Sequence, residues 1–157
     1  LSTAGSSMVG QNIGAEKYHR VPKIIGVSAI FDVAFALLLS FLTVFFPRTI
    51  FGFFNSDPEV LDMAMTYIPV AVLLYMGFAA RSPFFALING SGNARLNLIV
   101  GLLDGVICRV GLAMLMGLAM NMGIMGFWLG NAFAGYMPFL IGGVYFLTGR
   151  WKKRLIG

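Results

Sequence analysis

Long runs of apolar residues dominate the pattern of this chain. Four of them cover residues 24–46, 63–88, 96–120 and 123–147, and none contains more than two charged side chains. A helix rises 1.5 Å per residue, so about 20 apolar residues cross a hydrocarbon core about 30 Å thick. The pattern therefore predicts four complete transmembrane helices. A shorter run over residues 1–15, rich in small side chains, is expected to be the end of a fifth helix.

The segments between these runs read as short loops. Residues 16–23 (EKYHRVPK) form a polar turn, 89–95 (NGSGNAR) a glycine-rich one, and 121–122 leave room only for a tight hairpin. In the longest loop, 47–62, Ser56 or Asp57 is placed to cap the next helix. Residues 1–157 are therefore expected to form one all-α transmembrane bundle.

Composition agrees with a membrane protein. Apolar residues make up 59% of the chain and charged residues 11%, with a net charge of +5; soluble domains carry about 25% charged residues. The lysines and arginines lie in short loops and the tail instead of on one face, which argues against nucleic-acid binding. They are concentrated in 16–23, in 81–95 and at 150–154. Cytoplasmic loops carry such an excess, so these turns and the C-terminus are expected in the cytoplasm, with the chain in the plasma membrane, in bacteria the inner one.

No motif for enzymatic chemistry or metal binding is present. His19 is the only histidine, Cys108 the only cysteine, and Gly90-Ser91-Gly92 lacks the strand and lysine of a phosphate-binding loop. We expect neither an enzyme nor a cofactor nor a metal centre.

Charge inside the predicted membrane spans is the main functional signal. Asp32 and Asp104 each follow the cytoplasmic end of their helix by eight residues, which places both about 12 Å deep. Arg109 lies near the midplane, and Asn131 reaches a similar depth from the other side. Ionisable groups at such depth cost at least about 2.5–3.5 kcal/mol. Together with Asn97, these residues are predicted to lie on a substrate or ion pathway.

The helix over 96–120 has one face of small and polar side chains, formed by Asn97, Asp104, Cys108 and Gly111. This face is expected to point into the bundle. Arg109 lies roughly 140° around a regular α-helix from Asp104, so Asp32 on another helix is its expected partner. The charges could form a structural ion pair, bind a proton or cation, or snorkel to the lipid surface, an arrangement that suits Arg81.

Two kinds of backbone position are also notable. The glycine pairs Gly101/Gly105 and Gly126/Gly130 have the spacing of helix packing contacts. Pro69 and Pro138 lie inside predicted helices, where proline removes a hydrogen bond and produces a kink.

Several of these segments resemble one family of transporters. Residues 8–15 (MVGQNIGA), with Gln11, Asn12 and Gly14, are similar to the end of the second helix of each half in the multidrug and toxic compound extrusion (MATE) family. The segments that resemble its later loops and helix ends follow in order: 54–60 (FNSDPEV), 90–95 (GSGNAR), 122–128 (MGIMGFW) and 145–153.

The resemblance implies a fold and an activity. The family is built from two six-helix halves, and the tail GRWKK at 149–153 favours the second half, from the end of the eighth helix through the twelfth. Because the chain starts at Leu1 without a signal peptide, it is expected to lack an N-terminal half, its partner in a twelve-helix transporter. The implied function is export of organic cations or cationic drugs across the membrane, driven by the inward flow of Na⁺ or H⁺, with membrane lipid around the bundle. Sodium-coupled members often carry a carboxylate in the helix matching 63–88, which has none here, so the coupling ion stays open.

Two other functions share parts of this pattern. A flippase of lipid-linked oligosaccharides has the same broad architecture but typically a strongly basic cavity. A membrane scaffold that transports nothing would gain little from Asp104 within the bilayer. The intramembrane charges therefore favour a transporter.

Overall fold

Residues 2–152 are described by the computed structural model, and they form helices joined by short turns. Four helices within these residues are long and apolar enough to cross a membrane. We call them the first to fourth spans: Tyr18–Phe45, Pro58–Gly90, Ala94–Ala119 and Gly123–Leu147. An N-terminal helix, Ser2–Gly14, precedes them. The predicted all-α membrane architecture is confirmed. Lys153 and Arg154 of the basic tail lie outside the described residues.

The first two spans are continuous over most of their length. The first consists of a 3₁₀ turn, Tyr18–Arg20, and an α-helix, Val21–Phe45, and a short helix, Pro47–Gly52, follows it. The second span begins at Pro58, five residues before the predicted boundary. Its early start follows from Asp57, whose Oδ1 accepts a hydrogen bond from the Glu59 N–H at 2.9 Å. A capping carboxylate and a proline in the first turn are both typical of helix starts.

The third and fourth spans are less regular than the sequence predicts. The third contains α-helix over Ala94–Leu102 and Arg109–Met114, each followed by a π-helical segment, Leu103–Cys108 and Leu115–Ala119. The fourth is divided into Gly123–Ala134 and Met137–Leu147, and a final 3₁₀ turn covers Arg150–Lys152. Pro138 lies in the first turn of Met137–Leu147, so the break expected from this proline is present.

At the break, the fourth span contacts the second span. Tyr136, at the break, donates its hydroxyl hydrogen bond to the Leu73 carbonyl at 2.8 Å. Its ring lies directly against Gly77, where a Cβ would come within 3.1 Å of the ring, closer than an ordinary van der Waals contact. The missing Cβ of Gly77 therefore permits this contact.

The buried apolar core lies at the end of the bundle where the 16–23 turn, the 89–93 turn and the C-terminal 3₁₀ turn meet. Its buried members are Val9, Ile13, Val21, Ile25, Leu87, Ile88, Val100, Tyr145 and Trp151. The Ser91 and Tyr145 hydroxyls share a hydrogen bond of 3.1 Å, and the Trp151 indole donates to the Phe146 carbonyl. This core holds the spans together at their basic end.

The three motif residues of the N-terminal helix lie at this same end. Gln11 is exposed, Asn12 donates from its side chain to the Met8 carbonyl at 2.8 Å, and Gly14 is the last helical residue. The Asn12 carbonyl accepts from the Lys17 N–H, and Glu16 has a φ of 59°. These residues shape the turn into the first span.

One of the two predicted glycine pairs is a packing contact. A Cβ on Gly126 or Gly130 would collide with backbone atoms of the third span, at Met116 and Ala113 respectively. The interpretation of Gly101 and Gly105 as packing contacts is wrong for the residues described, because no atom lies within 4 Å of a Cβ built on either. Both are exposed. The third and fourth spans thus meet backbone to backbone on one face only.

Because only one of the two glycine pairs touches another helix, a glycine-to-alanine substitution should have different effects in the two pairs. In the full-length protein, Gly126→Ala should force the hairpin apart and cost about 1–3 kcal/mol, the usual range for overpacking. Gly101→Ala, also within a helix, should be neutral or stabilising by up to about 1 kcal/mol, because alanine favours helix. Thermal unfolding of the two purified variants measures this. Equal midpoints would contradict the packing described here.

Candidate functional site

A single buried carboxylate holds two guanidinium groups between the spans. Arg81 Nη1, on the second span, donates to Asp104 Oδ2 at 2.9 Å, and Arg109 Nη2 lies 3.3 Å from Asp104 Oδ1. The Asp104 side chain is only 8% exposed. Both carboxylate oxygens are therefore paired within the bundle.

The ion pair between Arg109 and Asp104 depends on the π-helical segment Leu103–Cys108. In a π-helix the backbone bonds join residues five apart, so positions i and i+5 lie over each other as i and i+4 do in an α-helix. Asp104 and Arg109 are five apart. The predicted pairing of Arg109 with Asp32 is wrong, because it assumed a regular α-helix in which the 104 and 109 side chains diverge.

Arg109 is held by two further hydrogen bonds. Its Nη1 donates to Asn131 Oδ1 on the fourth span at 2.7 Å, and its Nε donates to the Asp104 carbonyl at 3.4 Å. The structure thus brings together three of the predicted residues, Asp104, Arg109 and Asn131. Their contacts connect the second, third and fourth spans, and we call Arg81, Asp104, Arg109 and Asn131 the ion-pair cluster.

Arg81 differs from its expected position at the lipid surface. Its side chain is 22% exposed, and its guanidinium lies 5.1 Å from the ring centres of both Phe78 and Phe85. Cation–π contacts of this kind stabilise a guanidinium away from water. The single-helix reasoning that favours snorkelling could not show that Asp104 of the neighbouring span lies within reach.

Asp32 lies outside the ion-pair cluster, in a cavity of about 610 Å³ between the N-terminal helix and the first two spans. Asp32 as a whole is 9% exposed, and its Oδ2 atom is buried without a hydrogen-bond partner. The other polar groups lining this cavity are Ser2, Tyr75, Arg81 and Ser82. Its aromatic walls are Phe35, Phe78 and Phe85.

Tyr75, which lines the cavity, also belongs to a second polar patch between the first two spans. Thr43 and Tyr75 share a hydrogen bond of 3.3 Å between their hydroxyls, and the Ser40 hydroxyl is buried without a partner. Sequence reasoning missed Tyr75, Ser40 and Thr43. The signal for Ser40 and Thr43 was spacing, because Asp32, Ala36, Ser40 and Thr43 recur at helical intervals on the first span and are all buried.

Asn97 and the motif residues do not join this site. Asn97 lies in a groove lined by Asn89, Gly92 and Asn93, near the turn between the second and third spans. Gln11, Asn12 and Gly14 lie at the end of the N-terminal helix. The stripe of small and polar residues on the third span is thus divided: Asp104 is buried, Asn97 and Cys108 are half-buried, and Gly111 is exposed.

The two carboxylates have different chemical capacities. Asp104 is neutralised by two guanidiniums, which leaves it little capacity to attract a further cation. Asp32 has a free oxygen in a cavity with hydroxyl groups and aromatic faces, and these groups can accept a metal cation, a proton or an organic cation. Within residues 2–152 there is no group of three side chains with the types and placement of a metal centre.

The contact of Arg109 with Asn131 predicts a stability effect. Asn131→Ala should lower the stability of the full-length protein by about 1.5–3 kcal/mol, the range for a hydrogen bond to a charged group. Asn97→Ala removes the same amide outside the ion-pair cluster and should have a much smaller effect. The midpoint of thermal unfolding in detergent measures both. A similar loss in the two variants would show that Asn131 does not support Arg109.

Comparison with known proteins shows which family the chain is similar to. The family model described as MatE matches residues 1–115. The chain is 22% identical over 156 residues to a probable multidrug resistance protein NorM of Thermotoga maritima, covering 99% of this chain and 34% of that protein. It is 25% identical over 130 residues to a protein of the same description from Bacillus cereus, covering 83% and 29%.

A solved structure has the same fold. The crystal structure of the eukaryotic MATE transporter AtDTX14 matches 98% of this chain with a TM-score of 0.81 and 21% identity, covering 34% of that protein. The chain spans about a third of the length of the relatives it matches most fully. Members of this family are membrane transporters and not enzymes, and the match to the family model extends over most of the chain. The chain belongs to the MatE family.

Proposed function

We propose that the protein containing this chain exports organic cations across the membrane in exchange for Na⁺ or H⁺, and that Asp32 binds the cation. The observation that carries this proposal is the buried, unpartnered Oδ2 of Asp32 in a cavity of about 610 Å³. Small-molecule sites in proteins commonly measure about 300–1,000 Å³. The relatives' description as probable multidrug resistance proteins supports a small-molecule substrate.

The chemistry of the cavity favours a positively charged substrate. A buried carboxylate is costly unless it is paired, so a cation that enters gains the attraction that Asp32 offers. Phe35, Phe78 and Phe85 present apolar surface and ring faces for the organic part of the substrate. The hydroxyls of Ser2, Tyr75 and Ser82 are further oxygens that a coupling Na⁺ could use. No cofactor is needed for this exchange.

The competing functions lack equal support. A flippase for lipid-linked sugars would be expected to line its cavity with several basic groups, whereas Arg81 is the one basic residue among those lining this cavity. A scaffold would gain nothing from an unpaired carboxylate within its bundle. The rest of the transporter, which we propose to include an N-terminal half, is consistent with relatives about three times as long as this chain.

The first test substitutes the proposed cation-binding carboxylate. In the full-length protein, Asp32→Asn keeps the shape but removes the charge, and efflux of a fluorescent organic cation such as ethidium should fall at least about tenfold. That loss corresponds to about 1.4 kcal/mol. Asp62→Asn is the matched control, because Asp62 is 73% exposed and paired only with Arg48 at the surface. Efflux at the wild-type rate from well-expressed Asp32→Asn protein would refute the assignment.

The orientation of the spans is a separate proposal. The described basic residues at one end of the bundle include Lys17, Arg20, Lys23, Arg95, Arg150 and Lys152, which supports a cytoplasmic location for this end. In intact bacteria, a cysteine replacing Asn93 should react only with reagents that cross the inner membrane. A cysteine replacing Asn55, in the loop at the opposite end, should also react with reagents that cannot cross the inner membrane. The reverse labelling pattern would show that the basic end of the bundle lies outside the cytoplasm.

A further inference from the structure

The interior of the bundle contains equal numbers of positive and negative side chains, but they are not paired one to one. The interior of the described spans contains two carboxylates, Asp32 and Asp104, and two guanidiniums, Arg81 and Arg109. Both guanidiniums contact Asp104, while Asp32 Oδ2 has no partner. Two one-to-one pairs would leave no buried charge uncompensated, so the observed distribution needs a reason.

The two arginines are not held equally. Arg109 makes three hydrogen bonds, to the Asp104 carboxylate, the Asp104 carbonyl and Asn131. Arg81 makes one, through Nη1 to Asp104 Oδ2. Its other contacts are the faces of Phe78 and Phe85, which attract a guanidinium without fixing its direction as a hydrogen bond does. Arg81 is therefore the arginine that can leave the ion-pair cluster at lower cost.

Arg81 also lines the same cavity as Asp32. The rings of Phe78 and Phe85 that flank its guanidinium are themselves walls of that cavity. Across the cavity, the charged and titratable groups facing Asp32 are Arg81 and Tyr75 of the second span. Ser2 of the N-terminal helix and Ser82 add neutral hydroxyls. Among residues 2–152, Arg81 is thus the one cationic side chain lining this cavity, and it borders both carboxylates.

We propose that Arg81 is a mobile counter-ion that competes with the transported cation for Asp32. This inference rests on the proposed role of Asp32 as the cation site. The described arrangement, with Arg81 on Asp104 and Asp32 Oδ2 unpartnered, is the one that is open to a cation, and Arg81 stays on Asp104 while a cation occupies Asp32. When the cation leaves, Arg81 moves to Asp32, and each carboxylate then has one guanidinium, Asp32 with Arg81 and Asp104 with Arg109. Asn131 keeps Arg109 on Asp104 in both arrangements.

This competition would make release of the cation possible. A buried carboxylate that binds a cation strongly would otherwise retain it, whereas a resident guanidinium replaces the lost charge at the moment of release. Arg81 is then a positioning residue for transport, acting through Asp32. Asp104, although outside the cavity, sets how readily Arg81 is available. Because Arg81 cannot pair fully with both carboxylates at once, removing its partner at Asp104 should make it a stronger competitor at Asp32.

Equilibrium binding of ethidium to the purified full-length protein tests this directly. Arg81→Gln removes the competitor, so ethidium should bind at least about fivefold more tightly, within the usual range of coupling between sites, while efflux in proteoliposomes slows. Asp104→Asn removes the alternative partner of Arg81, so ethidium should bind at least about fivefold more weakly. The double variant should bind as tightly as Arg81→Gln alone. Arg48→Gln, at an exposed surface pair, should change nothing.

The outcomes separate this proposal from the proposed function. If Asp32→Asn abolishes ethidium binding but Arg81→Gln leaves the affinity unchanged or weaker, Asp32 is the site and the counter-ion proposal is wrong. If Asp32→Asn has no effect on binding, the site itself is wrong. If Arg81→Gln does not yield a folded, monodisperse protein, Arg81→Lys replaces it. Lysine lacks the planar fork of arginine, so it should compete less well and also tighten ethidium binding; unchanged affinity in that variant would overturn the proposal.

Discussion

Charge inside a membrane protein must be neutralised, and the ion-pair cluster around Asp104 shows how this bundle meets that constraint. A carboxylate alone at this depth would be costly. Here it accepts hydrogen bonds from arginines of two different spans, and Asn131 of a third span supports one of them. The second, third and fourth spans therefore share one buried electrostatic contact. It fixes their mutual positions near the middle of the bundle, while the apolar core fixes them at the basic end.

The π-helical segment Leu103–Cys108 is what allows this contact. It places Asp104 and Arg109 on one side of the third span although they are five residues apart. Arg109 is thereby directed towards the fourth span and away from Asp32. The consequence is a division between the two carboxylates, one saturated within the ion-pair cluster and one facing a cavity. That division underlies both the proposed cation site and the proposed movement of Arg81.

The length of the apolar runs was enough to predict the four spans, because any helix that crosses lipid must be long and apolar. It also indicated Asp32, Asp104 and Arg109 as residues that need an explanation. The partners could not be predicted in the same way. The angle around the helix axis between Asp104 and Arg109 was derived for a regular α-helix. The residue types from 103 to 108 do not predict a π-helix. Likewise, Gly101/Gly105 and Gly126/Gly130 have the same spacing, yet only the second pair meets another helix. Spacing along one helix does not show which face has a neighbour.

The central claim is that Asp32, not Asp104, is the carboxylate available to a cation, with Arg81 placed between them. Cryo-electron microscopy of the full-length transporter with and without ethidium tests it most directly. With ethidium, the account predicts density in the cavity beside Asp32 and Arg81 in contact with Asp104. Without ethidium, it predicts a second population of molecules in which the Arg81 guanidinium lies within hydrogen-bonding distance of Asp32, as expected after release. Ethidium bound elsewhere, with Arg81 on Asp104 in both maps, would contradict it.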